Sequence, residues 1–437
     1  MRNEANTTRH RPVPAAVPDS RPKVNLWKLG PGLITGAADD DPSGIATYSQ
    51  VGAQYGYGML WTMLFSFPLM AAIQEISARI GRVSGIGLAG NIRRHYPRPY
   101  LYGIVSILLI ANIFNIGADI GAMGAAAGLI FPGPPVFFTV LAGAVSVLLQ
   151  ILIPYRIYVK YLKWLTTALF AYIVTALILH EPRWPAIRAT ILPHLSLNRE
   201  YLTALIAILG TTISPYLFFW QASEEVEDVT LNPVEQPLKN APDQAPAQLR
   251  RIRFDTDFGM LFSNIVAYFI ILTTASTLHA HGLVNIQTAD QAARALQPFA
   301  GRFASLIFAV GIVGTGLLAV PVLAGSSAYA ISEMFQWPAS LEKKPRQAVR
   351  FYATIGAATL VGLLLNFVHL NPIRALFWAA VLNGMAAGPV MAVMMLTGRN
   401  TKVMGKFILP PYLHLAGWLS TALMVAASIG MLVTIYK

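Results

Sequence analysis

Eleven stretches of this chain are apolar and long enough to cross a bilayer, for which about 20 residues are needed. They run over 29–54, 57–79, 101–131, 136–153, 161–179, 200–222, 258–278, 301–332, 350–368, 373–396 and 412–435. Inside lipid, backbone N–H and C=O groups must be satisfied within the protein, and segments of this length achieve that as helices. An all-α polytopic membrane protein with eleven transmembrane helices is therefore expected. Only 12% of the residues are charged and 55% are apolar, whereas average soluble domains are about 25% charged. That balance excludes a disordered chain, a coiled coil and an ordinary soluble enzyme.

Few as the charges are, the net charge is +12, and the basic residues are unevenly placed. With the N-terminus inside, 25 of the 32 Lys and Arg fall in cytosolic segments and 7 in outer ones. The positive-inside rule then predicts a multi-pass protein of the cell (inner, plasma) membrane. Its N-terminus is expected in the cytosol and, after an odd number of spans, its C-terminus outside. In so apolar a chain these positives fit the anionic leaflet of the lipid bilayer, not nucleic acid. Residues 1–28 are polar and carry Pro12, Pro14, Pro18 and Pro22 with six basic residues. They are expected to form a disordered basic cytosolic tail, and residues 29–437 the transmembrane domain. No apolar stretch lies directly behind the tail's basic residues, as a secretory signal would require. Cysteine is absent, which removes disulfides, thiolate metal sites and thiol catalysis. No phosphate-binding P-loop motif occurs, which argues against an ATP-driven pump.

Two spans carry a breaker at matching places. The first holds Asp39-Asp40-Asp41-Pro42-Ser43-Gly44 and the sixth Gly210-Thr211-Thr212-Ile213-Ser214-Pro215. Proline lacks the backbone donor and clashes with the preceding turn, so each helix should open just before it. A repeat unit of five spans must enter the membrane in opposite orientations. Helices 1–5 and 6–10 are thus expected to form a 5+5 inverted repeat, with helix 11 appended. Broken helices at corresponding places in two such halves point to a transporter's midplane site.

The aspartates sharpen this reading. A charge at the bilayer centre costs at least about 2.5–3.5 kcal/mol on insertion scales, and no nearby span holds a basic residue to neutralise three. An unwound segment turns carboxylates and freed carbonyls toward one point, which suits a hard cation bound by oxygen alone. Asp41, directly before the proline, is the first-choice ligand and Asp40 the second; Asp39 is expected to face an aqueous vestibule. On the sixth span Ser214 and the carbonyl of Thr211 or Thr212 lie opposite. For Ser214, a ligand role and a hydroxyl bonded back to its own helix stand equally open. Asp119 in the third span is ionisable and suits a proton path, a second cation or a pairing within the bundle. Asn112, Asn115 and Asn383 read as hydrogen bonds between helices, with Asn383 also a candidate behind the site. Glu75 and Arg79 are an i,i+4 pair near the cytosolic surface. None of the eight histidines falls at a break, so a histidine proton switch is not expected.

At these residues the sequence resembles the Nramp divalent-metal transporters. The stretches that carry the resemblance are GPGLITGAADDDPSGIAT (Gly30 to Thr47), QEISARIGRVSG (Gln74 to Gly85), TADQAARALQPFAGRFASLIFAVGIVGTG (Thr288 to Gly316) and Met404-Gly405. The resemblance implies a LeuT-like fold and uptake of divalent transition metals, usually with protons, the metal being substrate and no cofactor being needed. It also implies carbonyl ligands at Ala38 and Thr211. The site departs from the family pattern. Asp-Pro-Gly-Asn is here Asp41-Pro42-Ser43-Gly44, so Gly44 stands where an asparagine ligand is implied. Met-Pro-His is here Ser214-Pro215-Tyr216, so the thioether is lost and Tyr216 replaces the histidine implicated in proton movement. Asp119 lies near the family's acidic proton residues.

These changes make the site harder and leave room for an ion that keeps its waters, as Mg²⁺ does. The pattern is similar to the Nramp-related magnesium transporters, which implies transport of Mg²⁺, with Mn²⁺ also carried, weakly or not coupled to protons. A dication gains about 2.3 kcal/mol per charge per 100 mV of inside-negative potential without any proton. Three alternatives remain: a proton-coupled Mn²⁺/Fe²⁺ importer using Asp119, an amino-acid or organic-cation transporter of the same fold, and a receptor or scaffold that has lost transport. The chain is expected to work as a monomer.

Overall fold

The computed structural model describes residues 30–153, 157, 164–179, 183–368 and 371–435. The expected tail, 1–28, lies outside them, as do most of the residues that would begin the fifth span. Among the described residues all regular structure is helical. The first expected span is two helices, α1 (Pro31–Asp39) and α2 (Pro42–Tyr55). After a 108° bend comes α3 (Trp61–Ser84), closed by Gly85 at φ 68°, a left-handed C-terminus that suits glycine. Then follow α4 (Leu88–His95), α5 (Arg98–Ala127), α6 (Pro135–Leu152), α7 (Phe170–Ile178) and α8 (Arg183–Ile191). The sixth expected span is again two helices, α9 (Arg199–Thr212) and α10 (Pro215–Leu231). The longer helices that follow are α11 (Ala245–Thr277), α12 (Ala304–Phe335), α13 (Val349–Leu365), α14 (Pro372–Arg399) and α15 (Pro411–Ile435).

Eight of the eleven expected spans are long and apolar enough, as helices, to cross a membrane. The first two form the bent pair Pro42–Met59 and Trp61–Ser84, and the fifth is described only as the shorter apolar helix Leu165–Ile178. Eleven crossings are thus not reproduced one for one, because the first two pass only as a bent pair and the fifth falls partly outside the described residues. Two short helices, α4 and α8, lie in segments read as loops.

Burial separates centre from rim. In the span that includes α9 and α10, 83% of the most apolar window is buried, against 22% in α6 and 28% in α15. The rim turns side chains such as Leu152 and Leu415 outward, as a lipid-facing surface requires. At the centre α1 lies on α11, α9 on α14 and α5 on α12. Glycine permits the closest approach: a Cβ on Gly36 would come within 2.3 Å of the Gly259 carbonyl oxygen, and one on Gly210 within 2.1 Å of that of Ala380. Asp255 of α11 accepts a hydrogen bond from the Gly32 N–H at 2.7 Å, capping the first turn of α1.

Arg82 departs from its expected place. Read from sequence as a cytosolic loop residue, it lies inside α3 and is wholly buried. Helices α3 and α10 run past their apolar cores, so Arg82 meets acids from α10 and the segment behind it. It pairs with Asp228 at 3.3 Å, with Glu225 at 3.7 Å and with Glu235. Arg251 of α11 holds the same Glu225 at 2.5 Å. The segment after α10 is pinned beside it, the Leu238 N–H donating to the Arg82 carbonyl at 3.2 Å. Removing one member of a buried charge network leaves the others uncompensated, at about 3–5 kcal/mol. Arg82→Ala is therefore expected to lower the thermal unfolding midpoint in detergent markedly. An unchanged midpoint would show that the network contributes nothing.

Candidate metal site between two helix breaks

Both breaks follow from local sequence. Asp41 has extended backbone (φ −70°, ψ 170°) and N-caps α2, with Pro42 in the first turn. Its Oδ1 accepts from the Gly44 N–H and from Ser43 Oγ, each at 2.7 Å. An aspartate cap before proline is a strong helix start, so α1 stops and a new helix begins one residue later. At the second break Ser214 precedes Pro215 in the same way, but its side chain makes no cap. Instead Ser214 Oγ donates back to the carbonyls of Gly210 at 2.8 Å and Thr211 at 3.1 Å. Of the two roles open to Ser214, the structure shows the bond to its own helix.

The fold brings the breaks together. Tyr216, in the first turn of α10, donates from its hydroxyl to the Ala38 carbonyl at 3.2 Å. A Cβ on Gly44 would lie 3.0 Å from Thr211 Oγ1 and 3.4 Å from the Asp39 carbonyl oxygen. Asp41, Ala38, Gly44, Thr211, Ser214 and Tyr216 therefore share one region, and all of these residues are buried. From α5, Asn115 Nδ2 donates to Asp41 Oδ2 at 3.0 Å. Asp119, one turn further on, is buried with neither carboxylate oxygen in a hydrogen bond among the described residues. Asp39, Asp40, Asp41 and Asp119 are each at most 1% exposed. Asp39 is thus cut off from solvent and does not face the aqueous vestibule expected from the sequence. Asp39 points at α11, where Ser263 Oγ lies 2.6 Å from its Oδ2.

Other candidates separate from this region. Glu75 pairs with Arg79 at 2.6 Å, as the i,i+4 spacing suggests, and makes no contact with the breaks. Asn112 donates to the Leu323 carbonyl and to the hydroxyls of Ser326 and Ser327, joining α5 to α12. Asn383 is buried on α14 with neither amide atom hydrogen-bonded. Asn115, read from sequence as a hydrogen bond between helices, is one, and its partner is Asp41 at the N-cap of α2. Ser263 and Tyr48 carry no signal in the sequence, since a lone serine or tyrosine inside an apolar span has no distinguishing pattern.

Among the described residues no three His, Cys, Asp or Glu converge as a ready-made metal cluster. The donors placed at the breaks are oxygens: the Asp41 carboxylate and its buried acidic neighbours, two carbonyls at helix ends and hydroxyls; the Met123 thioether lies close by, within 2.5 Å of a Gly316 Cβ position that is 3.3 Å from Pro42.

The family model described as natural resistance-associated macrophage protein-like, or Nramp, matches residues 32–434. The chain belongs to the Nramp family. It is 26% identical to the divalent metal cation transporter MntH of Klebsiella pneumoniae (strain 342) over 418 residues, 92% of this chain and 93% of that protein. Its fold is similar to the crystal structure of a mutant of the Eremococcus coleocola manganese transporter, with a TM-score of 0.72, 17% identity and coverage of 95% and 88% of the two chains. Mhp1, a nucleobase-cation-symport-1 family transporter in a closed conformation, superposes with a TM-score of 0.55 at 14% identity, over 92% of each chain. These two likenesses show a shared fold. Within this Nramp chain Asn115 fixes the Asp41 carboxylate, so its loss should disorder the cap. Asn115→Ala is expected to weaken divalent-ion binding about 10–100-fold, the usual scale for losing a group that orients a ligand. Titration calorimetry with Mn²⁺ checks this; unaltered affinity would separate Asn115 from the ion.

Proposed function

We propose that the chain is a secondary transporter of divalent metal cations that favours hard ions, Mg²⁺ with Mn²⁺ also carried, weakly or not coupled to protons. The observation that supports it most is Asp41, a buried carboxylate at the meeting point of two helix breaks whose other donors are oxygen alone. The ion would sit between Asp41 and the carbonyl ends of α1 and α9, at Ala38 and Thr211, with waters kept where Gly44 and Ser214 offer little. Binding at helix C-terminal carbonyls uses the negative ends of the two half-helices. The family and its MntH relative favour a divalent metal over an amino acid or organic cation. The Lys and Arg distribution favours a cytosolic N-terminus in the plasma membrane. The inverted 5+5 repeat accounts for breaks five spans apart, and a monomer suffices, because both breaks belong to one chain.

The second reading, a proton-coupled Mn²⁺/Fe²⁺ importer, rests on Asp119, a buried carboxylate with neither oxygen hydrogen-bonded among the described residues. Flux of Mg²⁺, Mn²⁺ and Ca²⁺ into proteoliposomes, with lumenal pH and voltage recorded together, distinguishes the two. Voltage-driven Mg²⁺ entry without acidification supports the first reading. Mn²⁺ entry with acidification and no Mg²⁺ flux supports the second. No flux and no binding of any divalent ion would sink both.

Asp41→Ala is expected to abolish Mg²⁺ uptake while the protein still elutes as a folded species; wild-type uptake would remove Asp41 from the centre. Ser214→Met replaces a self-satisfied hydroxyl by a thioether, and preference should move toward Cd²⁺ and Mn²⁺ relative to Mg²⁺. A ratio that does not move would show that donor hardness at this position does not set selectivity.

A further inference from the structure

Asp41 is not alone at the first break, and its two acidic neighbours face a different helix. Both oxygens of Asp41 are engaged toward α2 and α5, by Ser43, Gly44 and Asn115. Asp39 and Asp40 turn instead to α11, where Ser263 Oγ lies 2.6 Å from Asp39 Oδ2 and 3.1 Å from Asp40 Oδ1. A serine hydroxyl carries one proton, so it satisfies only one of these two carboxylates. The remaining oxygens, Asp39 Oδ1 and Asp40 Oδ2, are buried with no hydrogen-bond partner.

An independent group lies beside the same segment. The Tyr48 hydroxyl of α2 is buried with no hydrogen bond closed among the described residues. The edge of its ring and the Asp39 carbonyl oxygen each lie 3.4 Å from where a Cβ on Gly44 would stand. No Lys, Arg or His makes an ion pair with Asp39, Asp40, Asp41 or Asp119 among the described residues. One dication at Asp41 offsets the charge of Asp41 and Asp119 and leaves the Asp39–Asp40 pair exposed to its own repulsion.

We propose that Asp39, Asp40, Ser263 and the Tyr48 hydroxyl form a second cation site, beside the Asp41 site and distinct from it, that takes a hard divalent ion. Two carboxylates, one hydroxyl and one phenol are an all-oxygen donor set of the kind Mg²⁺ and Mn²⁺ accept. The Ser263 hydroxyl then turns its lone pair to the ion, and the two orphan carboxylate oxygens gain the partner they lack. The charge of the four buried acids is balanced by two ions without a basic side chain.

The test uses the full chain purified in detergent and Mn²⁺ as the probe, counted by equilibrium dialysis with elemental analysis. Wild type is expected to bind two ions per chain, close enough to broaden each other's paramagnetic resonance. The double variant Asp39→Asn/Asp40→Asn should bind one ion and lose the broadening. Asp41→Ala should also bind one, held at the second site. The ion each variant retains reports that it is folded. Ser263→Ala, a mild change, should weaken only the second ion, by about tenfold. A wild type that binds a single ion, unaffected by Asp39→Asn/Asp40→Asn, would overturn the second site and leave the Asp41 reading standing. Simultaneous loss of both ions in Asp41→Ala would show one shared site and overturn it equally. A wild type that binds no Mn²⁺ would overturn both.

Discussion

Four carboxylates buried in the middle of an apolar bundle, with no basic side chain paired to them among the described residues, set the terms for everything around them. Each charge in such surroundings is costly unless something answers it. The fold answers first with backbone. By ending α1 at Asp39 and restarting at Pro42, it places the positive end of α2 under Asp41, whose carboxylate takes up the Gly44 N–H. It answers next with neutral donors, Asn115 from α5 and Ser263 from α11. These suffice to orient the acids but not to neutralise them, and the remaining deficit is what marks the region as a candidate cation site.

The same demand explains the tight glycine contacts. A broken helix loses the hydrogen bonds that would stiffen it, so its short halves need firm neighbours. The nine-residue α1 is pressed onto α11 at Gly36 and Gly259 and capped by Asp255. The second break is pressed onto α14 where Gly210 meets Ala380 and Gly384. Side chains at these positions would hold the helices apart and pull the Ala38 and Thr211 carbonyls away from one another. Small residues here therefore serve the site as much as the packing.

Much of this was legible in the sequence because it rests on local rules. Span length and hydropathy locate the helices, and proline after a polar residue locates both breaks. Three adjacent aspartates in an apolar span mark the site, and Glu75 with Arg79 is an ordinary helical pair. What escaped depends on contacts between distant segments. Arg82 looks like the edge of a loop until α3 and α10 are seen to continue past their apolar cores and meet. Asn115 and Asn112 are indistinguishable by type, three residues apart on one helix, yet one reaches Asp41 and the other α12. The facing of Asp39 could not be read at all, because consecutive residues at an unwound turn have no fixed periodicity to tell one side from another.

The two breaks are alike in sequence pattern but not in chemistry, and the difference bears on selectivity. At the first, the residue before proline is a carboxylate that caps the new helix and still presents a charge. At the second, Ser214 spends its proton on the carbonyls of Gly210 and Thr211, closing off the helix end it terminates. Such a hydroxyl keeps lone pairs but no freedom to reorient without releasing those bonds. In the proposed reading an ion at this point gains one strong anionic ligand, carbonyls at two helix ends and little else, so much of its coordination must come from water. A cation that sheds water reluctantly is favoured by that arrangement, and one that relies on a soft donor is not. The hardness of the site thus lies less in any added ligand than in what the second break withholds.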